Sequence, residues 1–411
     1  MRVVHIAYIY GANGTGGAAI ASTRLHNALL NAGIDSHYIC QFAMEDGINV
    51  HVLPIGKCSR WLFMALGKLT RFMWRFTSCR ASLEANILPL FGFERVLEKI
   101  HPDIVHAHWL NRGVISFGQL ARIRYPVVLS LHDLFMVNIL LPHPGPDKRY
   151  IKGLTQENSQ CWERQLFYRK LQAVQKSRAV FIGPSEWICR CAKESLIGRQ
   201  HAVYHVPNII DTAFYYKEVK RRSEVFIMVF GAHNGRKNQY KGFEDLQKAL
   251  ALLPSEMKAK CALWIFGEEG EDTLTDGINT HFCGVITKAD DLVSVYRQAD
   301  VFLLPSRLDN APSTKFEALL CGLPVIAFDR AGCAECIRHR ESGWIAKDGD
   351  VAGFAEGIMF FYRQFSRGEL KDIRPHIAHK ARQEFSETSV IERTREIYLS
   401  CVNQERESDI L

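Results

Sequence analysis

The sequence predicts an α/β protein made of two doubly wound domains, each a parallel sheet with helices on both faces. Three observations lead to this fold class. Short apolar segments that are typical of buried strands alternate with helical stretches along most of the chain. This alternation stops between residues 204 and 224 and then starts again. The length of 411 residues exceeds what one hydrophobic core usually organises, so two domains are expected.

The strand segments of the first half follow one another in a βαβ order. RVVHIAYIY, at residues 2–10, precedes the glycine-rich turn NGTGG and the helical stretch AAIASTRLHNALLNAG, which ends on Gly33. The later strand segments are SHYICQF, DIVHAHW, PVVLSLHD and AVFIGPS. We assign residues 1–215 to the first domain. The stretch YHVPNIIDTAFYYKEVKRRSE, at residues 204–224, has few periodic features and is interpreted as the interdomain linker.

The second half repeats the pattern, and we assign residues 216–375 to the second domain. Its strand segments are VFIMVFGA, CALWIFGE, THFCGVI, DVFLLPS, LPVIAFD and GWIAKDG. In open α/β sheets, ligands bind beyond the carboxyl ends of the strands. We therefore expect the functional residues at strand ends, in a cleft where the two sheets face each other.

Composition and charge exclude several classes of protein. A chain with 47% hydrophobic and 23% charged residues is globular, and no apolar run reaches the roughly 18 residues of a membrane span. The twelve cysteines follow no regular framework, which favours free thiols in a reducing, cytoplasmic setting. Cys333 and Cys336 have CxxC spacing, but no second ligand pair accompanies them. The net charge of +7 indicates an anionic partner, and because no base-stacking module is present we do not expect nucleic acid.

Two acids follow the strand DVFLLPS. Asp309 and Asn310 lie in the loop, Pro312 is placed to open the next helix, and Glu317 lies about one turn further in. The first turn of this helix would aim backbone N–H groups at a ligand, which suits phosphate or sugar hydroxyls. A carboxylate at Glu317 can accept two hydrogen bonds from a vicinal diol such as that of ribose. The alternative is that Asp309 only flanks the helix and that Glu317 is solvated.

Basic residues follow the first strand of the second domain. The loop GAHNGRKNQYKGF contains Arg236, Lys237 and Lys241, at the carboxyl end of a strand beside the expected cleft. A charge run of this kind is also typical of a solvated loop. Fixed cations at a strand end would stabilise negative charge that develops on a phosphate without the help of a metal ion.

Histidines and glycines are the candidates in the first domain. PVVLSLHD ends at His132, which is either structural or directed at a ligand. His106 and His108 alternate along HAHW, so that either both are structural or one faces the cleft and the other the packing of the sheet. Gly16 and Gly17 form either a tight strand-to-helix connection or a backbone surface that a ligand approaches closely. The turn is not GxGxxG, so the dinucleotide fingerprint is absent.

The segment from Lys57 to Arg80 contains six basic residues and no acid. At helical spacing its basic residues fall on one side and its leucines on the other, with tryptophan and phenylalanine between them. This arrangement is typical of an interfacial helix drawn to anionic lipid. The alternative is a helix of the first domain that packs its apolar side on the sheet while the basic stripe meets water.

Together these motifs resemble the signature of glycosyltransferase family 4, which are retaining enzymes of the GT-B fold. Asp309-x7-Glu317, ALLCGLPVIAFDRAG and ESGWIA carry the resemblance in the second half. GGAA, HPDIVHAHWLN, SLHD, GPSEWI, VPNIIDTAFY, KGFEDL and YRQADVFLLPS extend it over nearly the whole chain. It is strongest to bacterial enzymes that assemble exopolysaccharides such as colanic acid. The sequence departs from the family pattern in three places. The first acid is Asp rather than Glu, and alanine replaces the usual arginine after the strand-ending glycine. In addition, LFMVNILLPHPGPDKRY follows His132 and Asp133, where many relatives have Trp and a Gly-Cys turn.

The resemblance implies a role for each candidate side chain. Glu317 would hold the ribose of a nucleoside diphosphate sugar, and Asp309 would contact the transferred sugar. Lys241 would bind the diphosphate, and Arg236 would substitute for the missing arginine. His132 would hydrogen-bond a hydroxyl of the sugar as the anomeric carbon gains positive charge. In the GT-B fold the helices of residues 376–411 cross back to the first domain.

The predicted catalytic residues are His132, Lys241 and Asp309. The predicted donor-binding residues are Gly16, Gly17, Arg236, Lys241, Val285, Ile286, Asp309, Asn310, Ala311, Pro312, Ser313 and Glu317, with the main chain of Val285 and Ile286 at the base. No metal or other cofactor is expected. The acceptor would be a saccharide, free or linked to polyprenyl diphosphate, and the setting is the cytoplasm or the inner face of its membrane. Alternatives are a nucleotide-sugar epimerase and a non-catalytic scaffold at the membrane surface.

Overall fold

The structure is a computed structural model in which the chain divides into two compact units. Unit 1 contains Met1–Pro207 and Glu387–Leu411, and unit 2 contains Asn208–Ser386. The residues that the structure describes are 1–11, 16–53, 56, 61, 64, 65, 68, 91–110, 114–138, 148–159, 161–218 and 224–410, with side chains described as far as residue 404.

The described part of unit 1 forms a parallel sheet of seven strands with helices around it. The strands are β1 (Arg2–Tyr10), β2 (Asp35–Ala43), β3 (Val50–Val52), β4 (Ile104–His108), β5 (Val127–Ser130), β6 (Val180–Gly183) and β7 (Val203–His205). The helices are α1 (Gly17–Asn31), α2 (Glu94–Ile100), α3 (Phe117–Leu120), α4 (Arg149–Lys152), α5 (Cys161–Ser177), α6 (Glu186–Glu194) and α13 (Glu387–Ile410), with a 3₁₀ turn at Gly198–Gln200.

The strand order of unit 1 is β3-β2-β1-β4-β5-β6-β7, and the direction of winding reverses between β1 and β4. Alternate residues of β1 lie on opposite faces of the sheet, as the pleat requires. Val4 and Ile6 belong to the main core of the unit, whereas His5 is buried on the other face. In register, His5 lies opposite His106 of β4.

Unit 2 has the same architecture in its described residues. The strands are β8 (Phe226–Gly231), β9 (Cys261–Phe266), β10 (Thr273–Thr275), β11 (Ile278–Gly284), β12 (Val301–Leu304), β13 (Val325–Phe328) and β14 (Gly343–Ala346). The helices are α7 (Phe243–Ala251), α8 (Ser255–Lys258), α9 (Ala289–Gln298), α10 (Ser313–Leu320), α11 (Val351–Ser366) and α12 (Leu370–Glu384), with a 3₁₀ turn at Gln239–Lys241.

The sheet of unit 2 runs β10-β11-β9-β8-β12-β13-β14, parallel except for the antiparallel pair of β10 and β11. Both faces of its central strand are buried: Ile227 and Val229 lie in one core, and Met228 and Phe230 in another. This explains why the strands read as continuous apolar runs in the sequence. The order reverses between β8 and β12, which makes their carboxyl ends the topological switch point where ligands bind in such sheets.

The fold class predicted from the sequence is confirmed, and every predicted strand segment contains a strand. Among the described residues, the sequence analysis missed the three strands β3, β7 and β10. All three lie at the edges of the sheets and have three residues each. Such short edge strands need no continuous apolar run, because one of their sides has no neighbouring strand.

The predicted linker is not a structureless connection where the structure describes it. Tyr204 lies in β7, and Ile210 and Phe214 are buried in a core of unit 2. The units therefore divide after Pro207 rather than after residue 215. Residues 376–386, which the sequence analysis grouped with the C-terminal helices, belong to unit 2.

The position of residues 376–386 follows from the packing of α12. Ile377, Ala381 and Phe385 are buried in a core of unit 2 that also includes residues of α10. Helix α13, in contrast, belongs to unit 1 and packs there against α1 and β4.

No helix in the described ranges combines the length and the apolar character that crossing a bilayer requires. Most of the predicted interfacial segment, Lys57 to Arg80, lies outside the described residues. Its role at a membrane therefore stays a prediction.

Candidate active site

Two of the predicted catalytic side chains form an ion pair at the switch point of unit 2. Lys241, in the turn after β8, places Nζ 2.5 Å from Oδ2 of Asp309, in the loop after β12. Burial disfavours the charge on Lys241, but the adjacent carboxylate outweighs this effect and raises the pKa of the lysine. Both side chains are partly exposed, at 28% for Lys241 and 18% for Asp309. The ammonium group of Lys241 is thus kept charged, and both side chains are accessible to a ligand.

The two loops meet because Gly242 allows a close approach of their backbones. Gly242 has φ +70°, and a Cβ at this position would collide with the carbonyl oxygen of Pro305. Two residues beyond Pro305, the backbone N–H of Arg307 donates to the carbonyl of Tyr240 at 2.8 Å. Its guanidinium binds Asp245, in the first turn of α7, through two hydrogen bonds of 2.6 and 2.8 Å. This bidentate ion pair fixes the loop after β12 on the start of α7.

A buried lysine holds a third loop in place. Lys315 of α10 is completely buried, and its Nζ donates to the carbonyls of Gly332 and Glu335 at 2.7 and 2.8 Å. The N–H of Gly332 in turn donates to the carbonyl of Asp309 at 3.0 Å. Burial lowers the pKa of Lys315. The loop after β13 is therefore tied both to helix α10 and to the loop that carries Asp309.

Glu317 is a core residue of unit 2 rather than a solvated helix residue. Its side chain lies on α10, is 5% exposed, and accepts a hydrogen bond from the hydroxyl of Tyr296 at 3.2 Å. Tyr296 is fully buried, and burial together with the neighbouring carboxylate raises its pKa well above the ordinary value. A buried carboxylate is costly without partners. Tyr296 supplies one such partner, and the carboxylate lies one turn inside the helix that follows the switch point.

Arg236 is held by an acid of the neighbouring strand end. Its Nε lies 3.1 Å from Oε2 of Glu268, and its guanidinium lies over the ring of Phe282, 4.5 Å from the centroid. Glu268 also accepts a hydrogen bond from the backbone N–H of Arg236. The N–H of Val285 donates to the carboxylate of Glu269 at 3.2 Å, so that this predicted base-reading group already has an acceptor.

In unit 1, the segment after β5 that contains His132 is fastened from two sides. Asp133 accepts a hydrogen bond from the indole N–H of Trp109 at 3.0 Å and one from the N–H of Phe135 at 2.8 Å. Lys170 of α5 is fully buried and donates to the carbonyls of Phe135 and Asn138. Burial lowers the pKa of Lys170 to about 7, although Asp133 raises it in part. The position of His132 is therefore well defined.

His106 and His108 lie on the same face of the unit 1 sheet and both are buried, which agrees with the structural alternative and not with the one in which one of them faces a cleft. Residues i and i+2 of a strand share a face, and both side chains are 1% exposed. His106 bonds the hydroxyls of Tyr398 and Ser130 at 2.6 and 2.8 Å. His108 contacts His132, with 3.2 Å between Nδ1 and Nε2.

His5, His106 and His108 also bring ring nitrogens within 4.8 Å of one another, which is the type of cluster that can hold a metal ion. Both nitrogens of His106 already have hydroxyl partners, and one nitrogen of His5 pairs with His108. An ion would have to displace these contacts. We therefore assign no metal to the cluster.

Gly16 and Gly17 lie at the start of α1, with Gly16 as the N-cap and the helix beginning at Gly17. A Cβ at either residue would meet no atom within 4 Å. The fold itself therefore does not require glycine at these two positions, which is compatible with a ligand that approaches the backbone.

Comparison with known families identifies the family of the chain. The family model described as "Glycosyltransferase Family 4" matches residues 15–214, and that described as "Glycosyl transferases group 1" matches residues 219–372. The chain belongs to glycosyltransferase family 4. The two matches meet close to the division between the units, so each unit of this glycosyltransferase corresponds to one family model.

Curated relatives of the glycosyltransferase include enzymes of bacterial polysaccharide synthesis. The amylovoran biosynthesis glycosyltransferase AmsK of Erwinia amylovora is 33% identical over 93 residues, which cover 21% of this chain and 22% of that protein. The N,N'-diacetylbacillosaminyl-diphospho-undecaprenol alpha-1,3-N-acetylgalactosaminyltransferase of Campylobacter jejuni is 26% identical over 121 residues, or 29% of this chain and 30% of that one. The chain thus spans less than a third of the length of each of these relatives.

Solved structures resemble the glycosyltransferase over nearly its whole length. Sucrose-phosphate synthase from Thermosynechococcus elongatus has a TM-score of 0.67 at 16% identity and covers 97% of this chain and 99% of its own. Anabaena Alr3699/HepE in complex with UDP-glucose has a TM-score of 0.59 at 16% identity, covering 97% and 100%. At such identities the likeness concerns the fold, which is GT-B.

The structure brings together part of the predicted donor site. Lys241 and Asp309 are in contact, Pro312 is the N-cap of α10, and Glu317 follows on that helix. Arg236 is instead paired with Glu268 at the adjacent strand end. Asn310, Ala311 and Ser313 lie between Asp309 and the first turn of α10, partly exposed, and Ile286 packs partly buried against a core of unit 2.

The sequence analysis missed four residues that contact Glu317 or hold the loops around Lys241 and Asp309 in unit 2, or hold the segment of His132 in unit 1. They are Lys170, Tyr296, Arg307 and Lys315. A lysine inside an otherwise apolar helix stretch, such as Lys315 within STKFEALL, was the one available signal. A charged residue on the buried side of a helix needs a partner. The partner itself lies in a distant loop and leaves no local pattern.

Proposed function

We propose that this enzyme transfers a sugar, with retention at the anomeric carbon, from a nucleoside diphosphate sugar to a saccharide acceptor in the synthesis of a bacterial surface polysaccharide. The observation that carries the proposal is the Lys241–Asp309 pair at the switch point of unit 2, with Glu317 buried on the following helix. The UDP-glucose bound to Anabaena HepE, a protein of the same fold, supports the choice of donor class.

In the proposed reaction, Lys241 stabilises the departing diphosphate. An ammonium group has three donors, and one of them is used by Asp309, so two remain for phosphate oxygens. The bond from the anomeric carbon to the phosphate oxygen breaks while the bond to the acceptor oxygen forms on the same face. The acceptor's proton moves to the departing phosphate, so no separate base is required. Fixed charge that awaits the leaving group is the largest catalytic effect expected here.

The other side chains bind and orient the substrates. The carboxylate of Glu317 accepts hydrogen bonds from the ribose hydroxyls, and that of Asp309 from the transferred sugar. His132 is assigned to a hydroxyl of the same sugar. Arg236 makes a secondary contact to the diphosphate in this proposal. Its guanidinium would then bind the diphosphate and Glu268 at the same time.

A saccharide linked to polyprenyl diphosphate is the proposed acceptor, and the inner face of the cytoplasmic membrane the proposed setting. The name of the Campylobacter jejuni relative, which contains diphospho-undecaprenol, supports this assignment. The basic and aromatic segment from Lys57 to Arg80 would suit such a surface.

The proposal is tested with the purified full chain and a panel of UDP and GDP sugars. We expect one donor to raise the melting temperature and to release its nucleotide only when an acceptor is added, with the anomeric configuration read by proton NMR. Conversion of the donor's sugar without acceptor would indicate an epimerase. Failure of every nucleotide sugar to bind would indicate a non-catalytic protein.

A further inference from the structure

Three histidines of unit 1 form a continuous hydrogen-bonded chain. Nδ1 of His5 lies 3.0 Å from Nε2 of His108, and Nδ1 of His108 lies 3.2 Å from Nε2 of His132. The ring centroids are 5.2 and 5.5 Å apart, with interplanar angles of 27° and 35°. In both pairs the centroid distance exceeds the N···N distance by about two ring radii, so the nitrogens lie nearly on the line between centroids. This is in-plane hydrogen-bond geometry rather than face-to-face stacking.

The chain has one buried end and one end near the surface. His5 and His108 are almost completely buried, and Nε2 of His5 has no hydrogen-bond partner among the described residues. His132, at the other end, is partly exposed. His106 is close, but its nitrogens bond Tyr398 and Ser130 and do not enter the chain.

All three rings are neutral at physiological pH. Burial lowers the pKa of His132 to about 4, and burial together with neighbouring histidines lowers those of His5 and His108 well below the ordinary value. A neutral imidazole carries one proton, so it donates through one nitrogen and accepts through the other. Because both nitrogens of His108 take part in hydrogen bonds, His108 must donate through one of them and accept through the other.

Counting protons then leaves two arrangements. If His108 donates from Nδ1, His132 accepts at Nε2 and His5 donates from its own Nδ1, so every ring carries its proton on Nδ1. If His108 donates from Nε2, His5 accepts at Nδ1 and His132 donates from Nε2, so every ring carries its proton on Nε2. Mixed arrangements place two protons or none between a pair of nitrogens.

We propose that His5 and His108 are positioning residues that force one common tautomer on the chain and so decide whether Nδ1 of His132 donates or accepts a hydrogen bond. This rests on the proposed function only in that the partner of His132 would be a hydroxyl of the sugar. A hydroxyl can play either part, so it takes the part that the common tautomer of the three rings leaves open. Second-partner control of a histidine tautomer is a general device in catalytic sites.

The tautomers can be measured directly. Full-length protein with ¹⁵N-labelled histidine is studied at pH 7.5 by long-range ¹H–¹⁵N correlation, in which the two ring nitrogens of each neutral tautomer have distinct shifts. We expect His5, His108 and His132 to share one tautomer. Protons on different nitrogens within this set would overturn the proposal, whether or not the protein transfers any sugar.

Variants at His5 test the coupling. In His5→Phe the hydrogen bond between residue 5 and His108 is lost, and we expect His132 to become a mixture of tautomers. In His5→Asn the amide can still donate or accept, so a single tautomer of His132 should return. His26→Phe is the matched control, because His26 is equally buried, lies 5.8 Å from His5 ring to ring, and bonds Ser36 and Ile48 instead.

Kinetics provide a second reading once a donor and acceptor are known. The loss of one orienting hydrogen bond predicts about a tenfold fall of kcat/KM in His5→Phe and recovery in His5→Asn. If His5→Phe does not fold, the spectra of His5→Asn and of the wild-type protein still test whether the three histidines share one tautomer. A His132 tautomer that is unchanged in folded His5→Phe would show that the buried end has no influence.

Discussion

Lys241 and Asp309 are 68 positions apart in the chain, yet their charged atoms are 2.5 Å apart at the point where the winding of the unit 2 sheet reverses. Both side chains are partly exposed, so a third charged group can reach the pair. Under the proposed function this group is the diphosphate of the donor.

Replacing Lys241 by alanine should therefore lower kcat about a hundredfold, since a fixed donor to the leaving group is lost. Nucleotide release in the presence of acceptor is the measurement. Lys248→Ala is the matched control, because Lys248 is 67% exposed and makes only a 3.9 Å contact with Asp245. Equal activity of the two variants would remove Lys241 from the mechanism.

Glu317→Gln should weaken donor binding about tenfold or more while costing little stability. The amide keeps the shape of the side chain and an acceptor for Tyr296, but loses the charge that strengthens hydrogen bonds to hydroxyls. We expect the free energy of unfolding to fall by no more than about 1 kcal/mol. Calorimetric titration with the donor and urea unfolding are the measurements. Glu356→Gln, at an exposed position of α11, should change neither.

Gly242→Ala should destabilise unit 2 and separate the ion pair. The new Cβ would meet the carbonyl of Pro305 in a backbone conformation, φ +70°, that alanine rarely adopts. Gly277→Ala separates backbone strain from collision. Gly277 also has a positive φ, of +83°, but a Cβ there would meet only the side chain of Lys258, at 4.0 Å. We expect a cost of about 1 kcal/mol at Gly277, from strain alone. The cost at Gly242 should be at least twice as large in urea unfolding, and equal costs would contradict the proposed collision.

Unit 1 should lose stability as the pH falls below about 6.5. His5, His26, His106 and His108 are fully buried, and burial lowers the pKa of His26 to about 4 and that of His106 to about 3. The unfolded chain takes up protons at these rings as the pH falls below about 6.5, whereas the native state does not until the lowered pKa is reached. The free energy of unfolding that these neutral rings contribute above pH 6.5 is therefore lost as the pH falls. At pH 5 each ring lowers the free energy of unfolding by about 2 kcal/mol.

The measurements are urea midpoints at pH 7.5 and 5 and the proton uptake on unfolding. His106→Gln retains hydrogen bonding to Tyr398 and Ser130 but removes one titrating group, so its pH dependence should be shallower by one proton. Midpoints that are independent of pH between 7.5 and 5 would show that the rings are not kept neutral by the fold.

The strands and the family could be predicted from the sequence because both leave local patterns. A buried parallel strand such as β8 is an unbroken apolar run, and the spacing of Asp309 and Glu317 on one loop and helix is visible in the letters. The contacts of Lys315 and Lys170 could not be predicted, because their carbonyl partners are set by tertiary packing. The shared face of His106 and His108, by contrast, follows from the two-residue period of a strand and was available from the sequence.

The hydrogen bond between His106 and Tyr398 joins an early strand to a late helix of the same unit. On the ribosome, β4 is synthesised long before α13, with the whole of unit 2 between them. Unit 2 can complete its fold as soon as Ser386 has emerged, whereas the first-made unit must wait for the last-made helix. The order of synthesis is therefore the reverse of the order of completion.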